Sequence, residues 1–407
     1  MNNKKLKFNI FDLNFILSIW GFTILTFVMP NIESIAIRIM FVGLSVICLL
    51  KTGVKLRTYS KDANLYIVLL TLMLFRVSID MLFGSLSDSP FEGKQFFFLF
   101  AYGAMFIPVV SIVSSYDKLN WSTLFIVLHL ILLFIILTGV MTSSLESHIE
   151  SSGRVALNER QDSSALGDYS TMLFLLSLVQ LVNNPFSKKG INILYKFVCI
   201  AGIIISFYGV SKGATRGAFF GYLIVFVYFT YCTSKRFSVW LAGISVTVVT
   251  ASAALISWFS EFAPVLYYRV MRTVEEGDTS DREILYQQAI DLIKDNPILP
   301  SEPIIVGTRF FTYHMLYLDV ALYLGVLGGL LFVFLTLKAI FRVINIKTQE
   351  PVSIFFFTMF MVNAVRGISG LALFLNPMFS VTMIFSLMLI QTKKDLKSKN
   401  AGLLHYT

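Results

Sequence analysis

Charge is what this chain has least of. Asp, Glu, Lys and Arg make up 14% of its 407 residues and hydrophobic residues 56%, where soluble domains carry about 25% charged residues. That balance excludes an ordinary soluble domain with a solvated surface. Cysteine is nearly as sparse. Cys48, Cys199 and Cys232 each fall inside an apolar run, so neither a disulfide framework nor a metal cluster is indicated. The first apolar run lacks a small-residue cleavage site and reads as a retained helix, not a signal peptide.

Long uncharged runs are present instead. Phe237–Ser257 is one, and crossing a hydrocarbon core of about 30 Å takes ~20 helical residues. The sequence predicts an all-α polytopic membrane protein, one integral membrane domain over residues 1–407, with twelve transmembrane helices. The expected spans are 10–29, 32–50, 64–84, 95–115, 121–141, 165–183, 191–209, 214–233, 237–257, 313–337, 352–367 and 371–390. Lys4, Lys5 and Lys7 precede the first span, and Lys393, Lys394, Lys397 and Lys399 follow the last. The positive-inside rule then puts both termini in the cytoplasm, and Lys51, Lys55, Lys188, Lys189, Lys235, Lys338 and Lys347 agree. The net charge of +9 is thereby explained by topology, and no nucleic-acid partner is needed.

Arginine is distributed differently from lysine. Arg38, Arg76, Arg154, Arg160, Arg216, Arg269, Arg272, Arg282, Arg309 and Arg366 all fall in the outer half of the bilayer or outside it. Topology asks for positive charge inside and does not ask for arginine outside. A guanidinium offers a planar fork of donors that matches phosphate, which an ammonium does not. Each arginine could instead pair with a local carboxylate, as Arg76 could with Asp80 four residues on. Arg38 and Arg76 lie roughly 18 Å up their helices at ~1.5 Å per residue, deep enough for an ionisable group to need a cavity or a partner. Arg216 opens a helix whose free N–H groups favour an anion. Gly213, Gly217 and Gly221 beside it allow close approach of a ligand or of a neighbouring helix.

Two connections are too long to be mere links between helices. Residues 142–168 form a polar outer loop carrying Arg154 and Arg160. Residues 258–312 form a larger one between spans nine and ten. In the latter, Ser280-x-x-Glu283 is a capping box and Pro297 a stop, so an amphipathic helix is expected over 281–295. Its polar stripe is Glu283, Gln287, Asp291 and Lys294. Arg282 and Tyr286 edge the apolar side with Leu285, Ala289, Leu292 and Ile293. Arg282 either serves an anionic ligand or pairs with Asp278 or Asp281. His314 opens the next span between Tyr313 and Tyr317, and a neutral imidazole there can accept a proton near neutral pH.

His314, ten residues, then Gly325-x-x-Gly328 resembles the H-[NSQ]-x9-G-x-x-G pattern of bacterial O-antigen ligases and related polymerases. Arg282 to Ala289 with Asn296-Pro297 resembles the R-x3-W-x2-A…NP segment of that superfamily, and Thr215-Arg216-Gly217-Ala218 its S-R-G-A segment. Met315, Tyr286 and Leu299-Pro300 depart from the ligase pattern and fit the more diverse repeat-unit polymerases, the Wzy family. The resemblance implies a GT-C-like glycosyltransferase at the periplasmic face of the inner membrane. It would join oligosaccharide repeat units carried on undecaprenyl pyrophosphate. It implies catalytic roles for His314, Arg282 and Arg216, without a cofactor. Arg38, Arg76, Arg154, Arg160, Arg309 and Arg366, with Tyr313 and Tyr317, are candidate substrate-binding residues. The partners implied are the lipid bilayer, the lipid-linked oligosaccharide and a chain-length-regulating membrane protein. Residues 29–34 lack the paired carboxylates of a metal-dependent transferase, so no metal is expected. Transfer to lipid A–core by a ligase is the near alternative. A lipid-linked sugar flippase or transporter is the distant one, disfavoured because no internal repeat is present.

Overall fold

The computed structural model describes residues 8–28, 34–54, 60–83, 106–141, 163–183, 185–186, 188–234, 240, 244, 260–276, 282–300, 315–346, 348–368 and 378–388. No strand occurs among them. The helices that build the fold are α1 (Ile10–Val28), α2 (Ser34–Thr52), α3 (Lys61–Phe83), α4 (Ile107–Ser114), α5 (Trp121–Met141) and α6 (Ser163–Val182). They continue with α7 (Lys189–Gly213), α8 (Arg216–Thr233), α9 (Pro264–Glu276), α10 (Arg282–Asp295), α11 (Leu316–Asn345) and α12 (Pro351–Arg366). A last apolar helix, α13, runs over Met378–Met388.

Among the described residues six helices are long and apolar enough to cross a membrane: α3, α5, α6, α7, α8 and α11. Shorter apolar helices lie in α1, α2, α12 and α13. This is the build of a polytopic membrane protein. Of the twelve expected spans, 237–257 falls almost wholly outside the described residues. Those at 95–115 and 371–390 are described only over 106–115 and 378–388. Large apolar side chains such as Leu50, Leu194, Phe197 and Phe341 are exposed on the bundle's flanks. Aqueous solvent would penalise that surface, and acyl chains do not.

Helix α6 lies at the centre, packed by α5, α7, α8 and α12, while α3 and α10 pack on α11 and α9 packs on α7 and α8. Aromatic contacts seal one end. Phe356 stacks on Phe385 with centroids 4.3 Å apart and meets Trp121 edge-on at 5.4 Å. Apolar contact alone gives helices little reason to associate in lipid, so small residues and interhelical hydrogen bonds carry much of the specificity. His129 of α5 shows this. Its Nδ1 lies 3.0 Å from the Tyr195 hydroxyl of α7 and its Nε2 lies 2.9 Å from the Ser177 hydroxyl of α6. Gly202 gives the room, since a Cβ there would come 2.9 Å from His129 Nε2. Asn14, Ser45 and Ser111 tie α1, α2 and α4 in the same way, at 2.9 and 3.0 Å.

The two ends of the bundle differ in charge chemistry. One end holds Lys51, Lys118, Lys338 and Arg342. There Asp62 of α3 accepts from Lys338 at 2.7 Å and from Arg342 at 2.6 Å, both on α11. The other end holds Arg76, Arg216, Arg269, Arg282 and Arg366, with Lys212 and Lys294.

Overpacking a filled helix contact costs about 1–3 kcal/mol. Gly202→Leu should therefore lower the melting temperature of the detergent-purified protein. Gly190→Leu on the same helix, where nothing lies within 4 Å of an added Cβ, should leave it unchanged. Equal melting temperatures for the two variants would refute the His129 packing described above.

Candidate functional site

The arginine end is organised around the turn between α7 and α8. Helix α7 stops because Ala214 adopts φ 47°, a left-handed cap that returns its N–H to the Val210 carbonyl at 3.0 Å. Thr215 is extended, and α8 begins at Arg216. The N-terminal turn of α6 packs into this corner, where a Cβ on Gly213 would lie 2.9 Å from the Ser163 carbonyl oxygen. Helix α9 covers it. Ala263 and Leu266 pack with Val210, Ala214, Ala218 and Tyr222, and Arg269 donates to the Ala214 carbonyl at 3.2 Å.

Arg366, the last residue of α12, reaches the first turn of α8. A Cβ on Gly217 would lie 3.3 Å from its Nε. Its guanidinium pairs with the Asp168 carboxylate of α6, with side chains 11% and 28% exposed. An ionised group in an apolar bundle needs such a partner, and this pairing explains how an aspartate is tolerated near the start of α6. The corner gathers three guanidiniums, Arg216, Arg269 and Arg366, and the positive end of the α8 dipole. Of the three glycines, Gly213 and Gly221 serve helix packing. The latter would meet Thr171 at 3.2 Å and Val362 at 3.3 Å. Gly217 admits the Arg366 side chain.

The second half of the site is built by α10 on α11. Leu285, Ala289, Leu292 and Ile293 pack against Leu318 and Leu322, the apolar face that the sequence pattern assigns to this helix. Arg282 and Tyr286 thereby border the first turn of α11, which carries the buried Asp319. Burial raises the Tyr286 hydroxyl above the ordinary phenol range, the Arg282 charge works against that, and Asp319 adds to it.

Beyond α10 the segment Asn296–Pro300 crosses α11 at a break in the helix. Gly325 has φ 71° and ψ 179°, and the Val326 N–H, released from the helix ladder, donates to the Pro297 carbonyl at 2.9 Å. Gly325 is required twice. A side chain would be strained at that φ, and its Cβ would overlap the Ile298 carbonyl. Arg76 of α3 grips the same segment, with Nη2 donating to the Pro300 carbonyl at 2.8 Å and Nε paired with Asp80 at 2.9 Å.

The two halves join where α11 begins. The Leu316 N–H donates to the Gly367 carbonyl at 2.9 Å, and the Tyr317 hydroxyl to the Ala364 carbonyl at 2.8 Å. The first turn of α11, two residues past His314 in the chain, is thus tied to the turn that carries Arg366. Of the expected site residues, Arg216, Arg366 and Tyr317 gather on one side of this junction and Arg282 borders the other. Arg76 holds the loop from α3. Arg38 lies on α2. Arg154, Arg160, Arg309, Tyr313 and His314 lie outside the described residues. Asp168 and Asp319 border the site without having been expected there, and Arg269, one of the ten outer arginines, joins them. The two carboxylates sit inside otherwise apolar runs, and no local pattern names their partners. Among the described residues no group of three or more His, Cys, Asp or Glu could hold a metal ion.

Residues 201–333 match the O-antigen ligase family, the superfamily that the Arg216, Arg282 and Gly325 motifs resemble. The match runs from α7 through both loop helices to the middle of α11. No curated protein and no solved structure matches the chain.

Gly325→Ala should unseat the Pro297–Ile298 crossing at a cost of about 1–3 kcal/mol. Hydrogen exchange reads this out as faster exchange of the Val326 amide. Gly43→Ala, made where an added Cβ meets nothing within 4 Å, should leave it slow, and an unchanged Val326 rate in Gly325→Ala would sink this account of the kink.

Proposed function

We propose, from the premise that residues 201–333 carry an O-antigen ligase family domain, that this protein is a repeat-unit polymerase. It joins oligosaccharide units carried on undecaprenyl pyrophosphate at the periplasmic face of the bacterial inner membrane. Both termini are cytoplasmic, the connection that ends where α6 begins at Ser163 and the one over 258–312 are periplasmic, and the spans have the bounds of the helices given above wherever these are described. The observation that carries the proposal is the gathering of Arg216 and Arg269 at the turn between α7 and α8, where the N-terminus of α8 adds its positive dipole end. Arg282 lies beside Tyr286, which borders the first turn of α11 at Asp319.

The chemistry assigned to that cluster is glycosyl transfer. The acceptor hydroxyl oxygen attacks the anomeric carbon of the donor sugar as the bond from that carbon to the pyrophosphate oxygen breaks. The electron pair leaves with the pyrophosphate, where Arg216 and Arg282 offset the growing charge. The hydroxyl proton passes to His314, which acts as the base. Arg154, Arg160, Arg309 and Tyr313 would line the path of the glycan, beside the point where Tyr317 ties α11 to α12. Arg38 and Arg76 stand deeper, on α2 and α3. A chain-length-regulating membrane protein is the expected partner.

Polymerase is favoured over ligase by Met315, Tyr286 and Leu299-Pro300, where the ligase pattern has a polar residue, tryptophan and a glycine-rich turn. The ligase reading is kept because the matched family is described by that activity, and both reactions consume the same donor.

Lipopolysaccharide profiles of a strain lacking the protein separate the two. Single repeat units capped onto core are expected for a polymerase. Uncapped core with polymer left on the lipid carrier indicates a ligase, and an intact ladder excludes both. Arg282→Ala and His314→Ala should each collapse the ladder while the protein still reaches the membrane. The expected loss is about 10²–10³-fold in rate, typical for removing one preorganised electrostatic group. Arg282→Lys should rescue poorly, because a point charge does not replace the fork. Normal ladders from these variants would refute the site assignment.

A further inference from the structure

We infer that Arg76 is a positioning residue for Arg282, acting through the Asn296–Pro300 segment. The inference rests on the proposed role of Arg282 in transfer. Helix α10 is held to α11 by Leu285, Ala289, Leu292 and Ile293 against Leu318 and Leu322. Apolar contact is non-directional, so it resists separation of the two helices and does little against sliding or tilting. Directional bonds to the segment that follows α10 supply what is missing. The carbonyls of Pro297 and Pro300 are the two handles of this segment. Each is taken by a different helix, Pro297 by the Val326 N–H of α11 and Pro300 by Arg76 of α3. Between them they fix the C-terminal end of α10 in two directions.

Arginine is suited to this and lysine is not. Nε pairs with Asp80 at 2.9 Å while Nη2 donates to Pro300 at 2.8 Å, with the two side chains 14% and 6% exposed. Asp80 offsets the charge that burial would otherwise penalise, leaving Nη2 of the guanidinium to serve the Pro300 carbonyl. An ammonium is a single point charge on a flexible stem and does not pair with Asp80 and reach Pro300 through two separate nitrogens. Arg282 stands at the far end of α10, about 20 Å from the anchored end at ~1.5 Å per residue. A tilt of about 5° there moves Arg282 by roughly 1.7 Å, and a misplacement of about 1 Å can cost ~10²-fold in rate.

The test uses the full chain in lipid nanodiscs with spin labels at Ile284→Cys on α10 and Leu330→Cys on α11. Both native side chains are 61% exposed and the three native cysteines are buried. With Arg76 intact, a single narrow distance distribution is expected. Arg76→Ala should broaden it, and Arg76→Lys should fall between. Arg76→Gln replaces the alanine variant if that one does not accumulate. In transfer assays with a lipid-pyrophosphate-linked repeat unit, Arg76→Ala should lower kcat about ten- to a hundredfold with little change in KM. It should add no further loss in an Arg282→Ala background. A narrow distribution with unchanged kcat in Arg76→Ala overturns the inference. So does a loss that multiplies with that of Arg282→Ala, since Arg76 would then act on the substrate itself. Full activity of Arg282→Ala alone would remove the assigned role of Arg282, whereas the spin-label distances report separately whether Arg76 fixes α10.

Discussion

A helix that breaks inside an apolar bundle releases backbone groups that neither lipid nor side chains readily satisfy, and each must find a partner within the protein. In this chain the break is at Gly325, and the Val326 N–H finds the Pro297 carbonyl. The candidate site depends on that bond. It brings the segment leaving α10 onto α11 and sets α10 across the first turn of α11. Arg282 is thereby held near the junction where Leu316 meets Gly367. A straight α11 would have no free donor for the loop and no room for the Ile298 carbonyl.

Charge follows the same rule of local compensation. Asp168 answers Arg366, and Asp80 answers Arg76. At the opposite end Asp62 answers both Lys338 and Arg342. Each of these contacts joins different elements or braces a residue that does. Helix α11 is bound to α3 at its lysine end by these ion pairs and to the end of α12 at its first turn by the Leu316 and Tyr317 hydrogen bonds. Its kink lies between the two attachments.

Much of this was legible in the sequence, and the remainder was not for identifiable reasons. The helix at Arg282–Asp295 follows from its polar stripe and its proline stop, and its apolar face packs as the periodicity requires. Gly325 stood out as part of a motif, but its purpose depends on a carbonyl contributed by another segment. The Arg76–Asp80 pair could be read from i,i+4 spacing. The Pro300 partner, 224 residues away, could not. Asp168 and Asp319 were not expected in the site because a carboxylate in an apolar run carries no signature of what answers it. The gathering of arginine at one end was visible beforehand. The carboxylate partnering Arg366 emerged only from the packing of α6 against α12.

The crossing at Gly325 also bears on the order in which the protein can be made. The segment Asn296–Pro300 has one partner far upstream in α3 and the other downstream in α11. During synthesis Arg76 is in the membrane long before the segment emerges, while Val326 does not yet exist. For that interval the loop has at most one of its two attachments. Its second attachment closes when α11 enters the bilayer and bends, so insertion of that helix is also the moment at which the loop before it takes its final shape.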